Sequence, residues 1–474
     1  MLISQTYRPE TLFRALGPDF ADPVRPADFP MVVPRFVHHR VLGQLGLDQL
    51  DETQIKSHLG RLAPLPGAQP QALAVRYHGH QFRTYNPDLG DGRGFLFAQL
   101  REVGTGRVSD LSTKGSGRTP YSRSGDGRLT LKGGVREVLA TAMLEALGVN
   151  TSHSVSLMET GEALERNDEP SPTRSAVLVR RTHSSIRFGG FQRHAFHDRA
   201  DLVGQLAEHV LAVYQPDLVG APDPGAALLN RVVECCAELV AGWMAAGFVH
   251  GVLNTDNMNI NGESFDYGPY RFLPFNDPNF VAAYFDQTGL YAFGRQPEAV
   301  YWNLRQLAGC LLLISDEGGL AAALERFPDL YRDALRRAML RRLGVQGRDV
   351  AAEQALVSAA FRALAAGGAE LRWEPFFHDW FGGEASADRA LQGPRGALYR
   401  TAPFTAFRDL VRDFEPDRPE RLASPVFARS EPEELLIDEI EGLWAAVADR
   451  DDWEPFNAKL ARLEATRQAY GFSA

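Results

Sequence analysis

His250-Gly251-Val252-Leu253-Asn254-Thr255-Asp256-Asn257, followed shortly by Phe265-Asp266-Tyr267-Gly268, is the stretch on which the reading of this chain turns. It sets the amide of Asn257 and the carboxylate of Asp266 a short way apart, with a second carboxylate, Asp256, just before the Asn. Amide and carboxylate oxygens are hard donors, the kind that hold Mg²⁺ or Mn²⁺. A gap this short predicts two strands of a hairpin delivering Asn257 and Asp266 to one ion. Turn capping would explain either residue alone, but the combination is specific.

In protein kinases a catalytic loop of the form His-x-Asp-x4-Asn is followed by Asp-Phe-Gly, and its Asn and the later Asp hold magnesium. Counting back from Asn257, the place of the catalytic aspartate holds Val252. Valine neither accepts a proton nor orients a hydroxyl, so ordinary γ-phosphoryl transfer by that base is not expected. A carboxylate does reappear at Asp256.

Working outward, Leu111-Ser112-Thr113-Lys114 reads as a strand end that opens into Gly115-Ser116-Gly117. The spacing of a Walker A loop is absent. A strand lysine paired with a glutamate on the next helix is how kinases fix ATP phosphates, and Glu137 lies off the main apolar stripe of that helix. A solvated glutamate would look the same. Gly90-Asp91-Gly92-Arg93 and Gly125-Asp126-Gly127-Arg128 are matching tetrads, read as two tight turns; glycines there would also let backbone N–H groups approach a phosphate. Arg180 ends the apolar run Ala176-Val177-Leu178-Val179, where an arginine needs an anion. That anion is an internal carboxylate or, with Arg187, a triphosphate clamped bidentately.

The surrounding chain changes texture twice. Short β-like runs (94–103, 108–114, 128–132 and 176–181) surround a helix expected over 134–147 and stopped by Gly148. Beyond Arg199, helices are expected over 201–214, 226–246, 300–314, 328–343 and 350–366, with an amphipathic one over 433–448. Before Leu73 only one helix-like stretch, 41–58, stands out. At 474 residues the chain is long enough for two or three packed units, and 44% hydrophobic with 23% charged residues is ordinary for a globular protein. A net charge of -10 argues against a nucleic-acid partner. Residues 1–16 lack the apolar core of a secretory leader, and the longest apolar run, 307–314, is far too short to span a membrane. Three cysteines (Cys235, Cys236 and Cys310) without a CxxC pair make no disulfide framework. The cytoplasm fits best.

These motifs, with Tyr77-His78-Gly79-His80-Gln81-Phe82, Thr119-Pro120-Tyr121-Ser122-Arg123, Val135-Arg136-Glu137 and Ile186-Arg187-Phe188-Gly189, resemble in content and order the selenoprotein O family of pseudokinase-like protein adenylyltransferases. The match spans roughly 76–307. The resemblance implies an α+β, two-lobed protein-kinase-like fold, with a β-rich N-terminal lobe carrying one key helix and a mostly α-helical C-terminal lobe. Its expected divisions are an N-terminal extension at 1–75, an N-lobe at 76–199, a C-lobe at 200–400 and a C-terminal helical extension at 401–474. The family implies ATP bound in flipped orientation as co-substrate, so that AMP passes to Ser, Thr or Tyr hydroxyls of proteins. Gly90, Gly92, Arg93, Lys114, Asp126, Gly127, Arg180, Arg187 and Asp266 would bind the nucleotide. Glu137 would pair with Lys114, Asp256 would accept the proton, and Asn257 with Asp266 would hold Mg²⁺ or Mn²⁺.

Two departures stand out. Many members carry cysteine or selenocysteine close to the C-terminus, whereas this chain ends Tyr470-Gly471-Phe472-Ser473-Ala474, so redox control is not carried over. The segment past about Arg400 also fits the family pattern poorly. A kinase-like phosphotransferase and an inactive nucleotide-binding scaffold are the rival functions. His78 and His80 suggest packing more than metal binding.

Overall fold

Alternation along one strand builds the centre of the fold. In Thr173–Thr182, Ala176 and Leu178 enter one core while Val177 and Val179 enter another on the opposite face. A strand buried on both faces reads as a continuous apolar run, and this one lies inside a sheet. The computed structural model describes residues 4–167 and 169–472. The outermost residues of the stretches read above as a leaderless start and a cysteine-free end lie outside them. Among the described residues one antiparallel sheet has nine strands. Its main path runs Ala21–Pro23, Leu73–Val75, Leu96–Arg101, Val108–Lys114, Thr173–Thr182, His153–Leu164, Val33–Val37. Pro9–Glu10 and Leu129–Thr130 add short edges to it. Residues before Arg76 thus supply strands to this sheet, beyond the single helical stretch read in the sequence. That stretch is broken into His39–Gln44, Glu52–Ile55 and Lys56–Gly60.

One face of the sheet is covered by the helix Leu131–Ala146. The expected run 128–132 is strand only at Leu129–Thr130; the chain then turns into the helix three residues earlier than predicted. Thr130 caps it, its hydroxyl accepting from the N–H of Gly133 at 3.1 Å. Gly134 is inside the helix because a Cβ there would stand 2.3 Å from Leu157 of the sheet. The pair Gly133-Gly134 therefore brings helix and sheet together rather than delaying the helix. Gly148, at φ 75°, follows its end as expected.

The second half is helical. Ala200–Tyr214, Pro224–Ala245, Gln296–Leu311, Phe327–Leu343 and Val350–Gly367 lie within a few residues of their expected places. Pro224–Ala245 is the central one, with Gln296–Leu311 and Phe327–Leu343 packed on it. The amphipathic helix near the end runs Ile437–Arg450, and a further one, Glu454–Tyr470, reaches back onto Leu131–Ala146. The molecule is thus mixed α/β, a large antiparallel sheet joined to many helices.

Candidate functional site

Two short strands, Phe248–Val249 and Arg271–Phe272, pair with each other, and between them the chain is loop apart from one 3-10 turn, Thr255–Asn257. The hairpin expected from the sequence exists only at this base. Asn257 ends the turn Thr255–Asn257, and Asp266 sits in an irregular segment with φ 64°, so neither lies on a strand arm. Some of the loop's polar groups are satisfied from outside it and some from within. His250 Nε2 lies 3.0 Å from the carbonyl of Phe265, and Glu263 receives the backbone N–H and the ring Nδ1 of His183 at 2.8 and 2.9 Å.

Against this loop the sheet presents the end of Val108–Lys114. Gly115, at φ 85°, turns the chain where a Cβ would stand 2.6 Å from the carbonyl of Ala176. Lys114, 5% exposed, ion-pairs with Glu137, 1% exposed, and its Nζ lies 2.6 Å from Oδ1 of Asp266. Strand, helix and loop thus meet at one ammonium group.

The two Gly-Asp-Gly-Arg turns both pack against the segment 117–122 between them. Thr119 Oγ1 donates to the carbonyl of Asp91 at 2.6 Å, and the Ser122 hydroxyl donates to that of Gly92. A Cβ on Gly90 would stand 2.3 Å from the ring of Tyr121, and one on Gly127 2.2 Å from the carbonyl of Gly117. A ring packs on the backbone at Gly90 and backbone meets backbone at Gly127, and both turns open onto the same space. That space is a cleft of about 700 Å³, within the range of small-molecule sites.

Gly90, Gly92, Arg93, Asp126 and Gly127 line it from the turns. Lys114, Arg180, Arg187, Asp256 and Asp266 line it from the sheet and the loop. Of the residues expected here, Glu137 stands behind Lys114, and Asn257 is outside the lining although its neighbours Asp256 and Asn259 are in it. The sequence did not single out Arg123, Asn259, Glu165 and Arg166, which also line the cleft. Arg166 lies in the polar loop after His153–Leu164 and grips both carboxylate oxygens of Asp126, at 2.8 and 3.1 Å. Nothing local marks it; only strand pairing brings that loop over the cleft.

Charge is concentrated and buried. Burial alone would raise the Asp266 carboxyl, but Lys114, Arg180, Arg187 and Arg93 outweigh it and hold the group well below the usual carboxylate range. Asp256 has less compensation. Burial pushes it up to about 6, against the pull of Arg187. Arg187 lies over the rings of Tyr77 and Phe265, 4.7 and 5.0 Å from their centroids, and donates to the Asp256 carbonyl at 2.8 Å. Arg180 is 3.8 Å from Asp266, and its Nε and one terminal nitrogen are buried with no hydrogen-bond partner among the described residues.

Oδ1 of Asp256 and Oδ1 of Asn257 are likewise buried and unpartnered among the described residues, while the Asn257 amide nitrogen donates to the carbonyl of Val252 at 3.0 Å. Unmet oxygen acceptors on the same loop as an ionised Asp266 fit a hard divalent cation. Among the described residues no group of three or more His, Cys, Asp or Glu forms a metal cluster; two carboxylates and an amide suit an ion that also takes phosphate oxygens. His78 and His80 are engaged elsewhere, with Tyr85 and Arg193 for the first and Gln192 for the second. No helix among the described residues is long and apolar enough to cross a membrane.

Known proteins resemble this chain along most of its length. A family model described as protein adenylyltransferase SelO matches residues 2–464. Protein nucleotidyltransferase YdiU of Gloeobacter violaceus is 45% identical over 470 residues, covering 96% of this chain and 94% of its own. The protein of that name from Synechocystis sp. is 42% identical over 483 residues, covering 98% of each chain. In Vibrio cholerae it is 40% identical over 337 residues, covering 70% of this chain and 67% of its own. A match running through nearly the whole chain is not a shared motif alone: the chain belongs to the SelO family.

Proposed function

We propose that this chain is a divalent-cation-dependent protein adenylyltransferase that moves AMP from ATP to Ser, Thr or Tyr hydroxyls, with ATP bound in flipped orientation. The observation that carries it is the exchange of carboxylates in the catalytic loop. Val252 stands where a kinase keeps its base, while Asp256 faces the cleft with an unmet oxygen. The relatives' printed names, protein adenylyltransferase and protein nucleotidyltransferase, point the same way.

The residues divide the work by chemistry. Lys114, held by Glu137, and Arg93, Arg180 and Arg187 neutralise and orient the triphosphate. Gly90, Gly92 and Gly127 let backbone approach it, and Asp126, fixed by Arg166, also binds the nucleotide. Asn257 and Asp266 would hold Mg²⁺ or Mn²⁺, which polarises phosphate oxygens and screens their charge. Asp256 takes the proton of the acceptor hydroxyl as its oxygen attacks the α-phosphorus. The bond from that phosphorus to the bridging oxygen breaks, and pyrophosphate leaves toward the arginines, whose charge stabilises it.

The reading includes a two-lobed kinase-like architecture divided at 1–75, 76–199, 200–400 and 401–474, with work in the cytoplasm on soluble proteins and neither nucleic acid nor membrane as partner. The test is intact-mass spectrometry and radiolabel transfer after incubation with ATP and either metal. Label from α-labelled but not γ-labelled ATP, with an added adenylate mass, supports it. Label from γ-labelled ATP would instead identify a phosphotransferase. Nucleotide binding without covalent product across both metals and several acceptors would identify a scaffold.

A further inference from the structure

Beside the turn that carries Asp256 lies a small hairpin of Gly79–Gln81 and Thr84–Asn86. It is fastened to the catalytic loop. A Cβ on Gly79 would stand 3.0 Å from Oγ1 of Thr255 and 3.4 Å from Cβ of Asp256. The N–H of His80 donates to Thr255 Oγ1 at 2.7 Å, and that of Phe82 to Oδ1 of Asn254 at 3.0 Å. Gln81 lines the cleft. Phe82 and Arg83 form the tip at φ 49° and 63°, a conformation that Asn and Gly adopt readily and bulky residues do not. Backbone strain of this kind collects at functional sites.

The tip meets a second loop. The Phe82 ring is 5.8 Å from that of Phe285 and 5.1 Å from that of Tyr291; Tyr284 lies edge-on to Phe285 at 5.1 Å. The Tyr291 hydroxyl donates at 2.8 Å to the same Asn254 oxygen that receives the Phe82 N–H. Asp286 ties this loop down, accepting from the N–H groups of Leu290 and Tyr291 at 2.9 and 2.8 Å. The loop is thus fixed just after Phe285, yet Tyr284 is 85% and Phe285 47% exposed. Two large aromatics held in water, and joined through Phe82 to the loop that carries Asp256, mark a contact surface.

We propose that Phe82, Tyr284 and Phe285 dock the acceptor protein, receiving an apolar side chain that flanks the modified hydroxyl in an extended segment. This rests on the adenylyl-transfer reading above. The cleft's other walls are glycine turns and cations suited to the nucleotide, whereas the hairpin borders Asp256, which the acceptor hydroxyl must reach. Arg83 at the tip is paired with Glu298 at 3.1 Å and lies over the Trp302 ring, so the contact left open beside it is the aromatic one.

Two fluorescein-tagged degenerate peptide pools centred on Ser, Thr and Tyr test this, one flanked by Leu and Phe and the other by Ser and Gln. Binding is followed by fluorescence polarisation on the full chain loaded with a non-hydrolysable ATP analogue and Mg²⁺. The apolar-flanked pool is expected to bind about tenfold more tightly, the scale of losing one interface anchor. The Tyr284→Ser/Phe285→Ser variant removes that preference while its melting temperature and its affinity for the analogue stay as in the wild type. Equal binding of both pools, or a preference that survives in the double variant, overturns the proposal. Apolar-selective binding with no label from α-labelled ATP in any peptide would leave the docking surface standing and defeat adenylyl transfer instead.

Discussion

The Nζ of Lys114 lies 2.6 Å from Oδ1 of Asp266, across 152 positions of sequence, with Glu137 closing the group from the helix side. Three elements share one buried cation, so it serves folding as well as the site. Removing one partner of a buried pair costs about 3–5 kcal/mol, because the remaining charge is left unpaired. Lys114→Met is therefore expected to lower the melting temperature sharply and to abolish label transfer. Lys114→Met/Glu137→Met should regain much of the stability and none of the activity. Thermal unfolding of the single and double variants measures the coupling; simple additivity would show that the two side chains do not act as a pair.

Arg180 makes the opposite bargain. Its guanidinium is buried at 6% exposure with nitrogens that find no acceptor among the described residues, and an unmet buried donor is destabilising. ATP with Mg²⁺ is expected to raise the wild-type melting temperature by supplying that acceptor. Arg180→Met should cost less stability without nucleotide than Lys114→Met, because Lys114 and Arg187 still face Asp266, and it should lose most of the nucleotide-induced shift. A full shift in the variant would remove Arg180 from the phosphate site.

Asp256 and Asp266 face one cleft but should fail differently. Asp256→Asn keeps the shape and loses the proton acceptor, so transfer should fall by about 10²–10⁴-fold while ATP still binds. Asp266→Ala removes the ionised carboxylate, and both transfer and metal-dependent ATP binding should go. Calorimetric titration with and without Mg²⁺ separates the two; equal loss of ATP affinity in both variants would contradict the assigned roles.

How much of this was readable in the sequence depended on whether local pattern and tertiary demand agreed. Val108–Lys114 was placed at its observed bounds because glycine turns mark it on both sides, Gly104 and Gly106 before it and Gly115 and Gly117 after it. The twelve-residue strand His153–Leu164 went unread. Its buried Ser and Thr side chains are satisfied by partners such as Ser175, whose hydroxyl lies 2.6 Å from that of Thr160, so polar residues hide the apolar rhythm. Glu454–Tyr470 was missed for a related reason: Lys459 is wholly buried there between Glu433 and Glu439, a core position written with a charged residue. Lys114, Glu137 and Asp266 were legible through their motifs, whereas the Arg166 clamp on Asp126 follows from strand pairing that no local signal encodes.

A buried chain of charges behind the cleft sets the acid limit of stability. Glu263, in the loop between Asn257 and Asp266, faces His183 and Arg181; Glu145, on the helix of Glu137, faces His153 and Arg40. Burial would raise both carboxyls, yet these partners hold each at about 2, below the ordinary 4.5. A folded-state value below the unfolded one contributes stability that is complete above pH 4.5 and is lost as pH falls toward 2. Each group is worth on the order of 3 kcal/mol over that interval. The melting temperature should accordingly fall steeply below about pH 4.5. Glu263→Gln should start lower at neutral pH and show a shallower acid slope, since its titration is gone. An unchanged slope in that variant would place the acid sensitivity elsewhere and detach Glu263 from the support of the loop that carries Asp266.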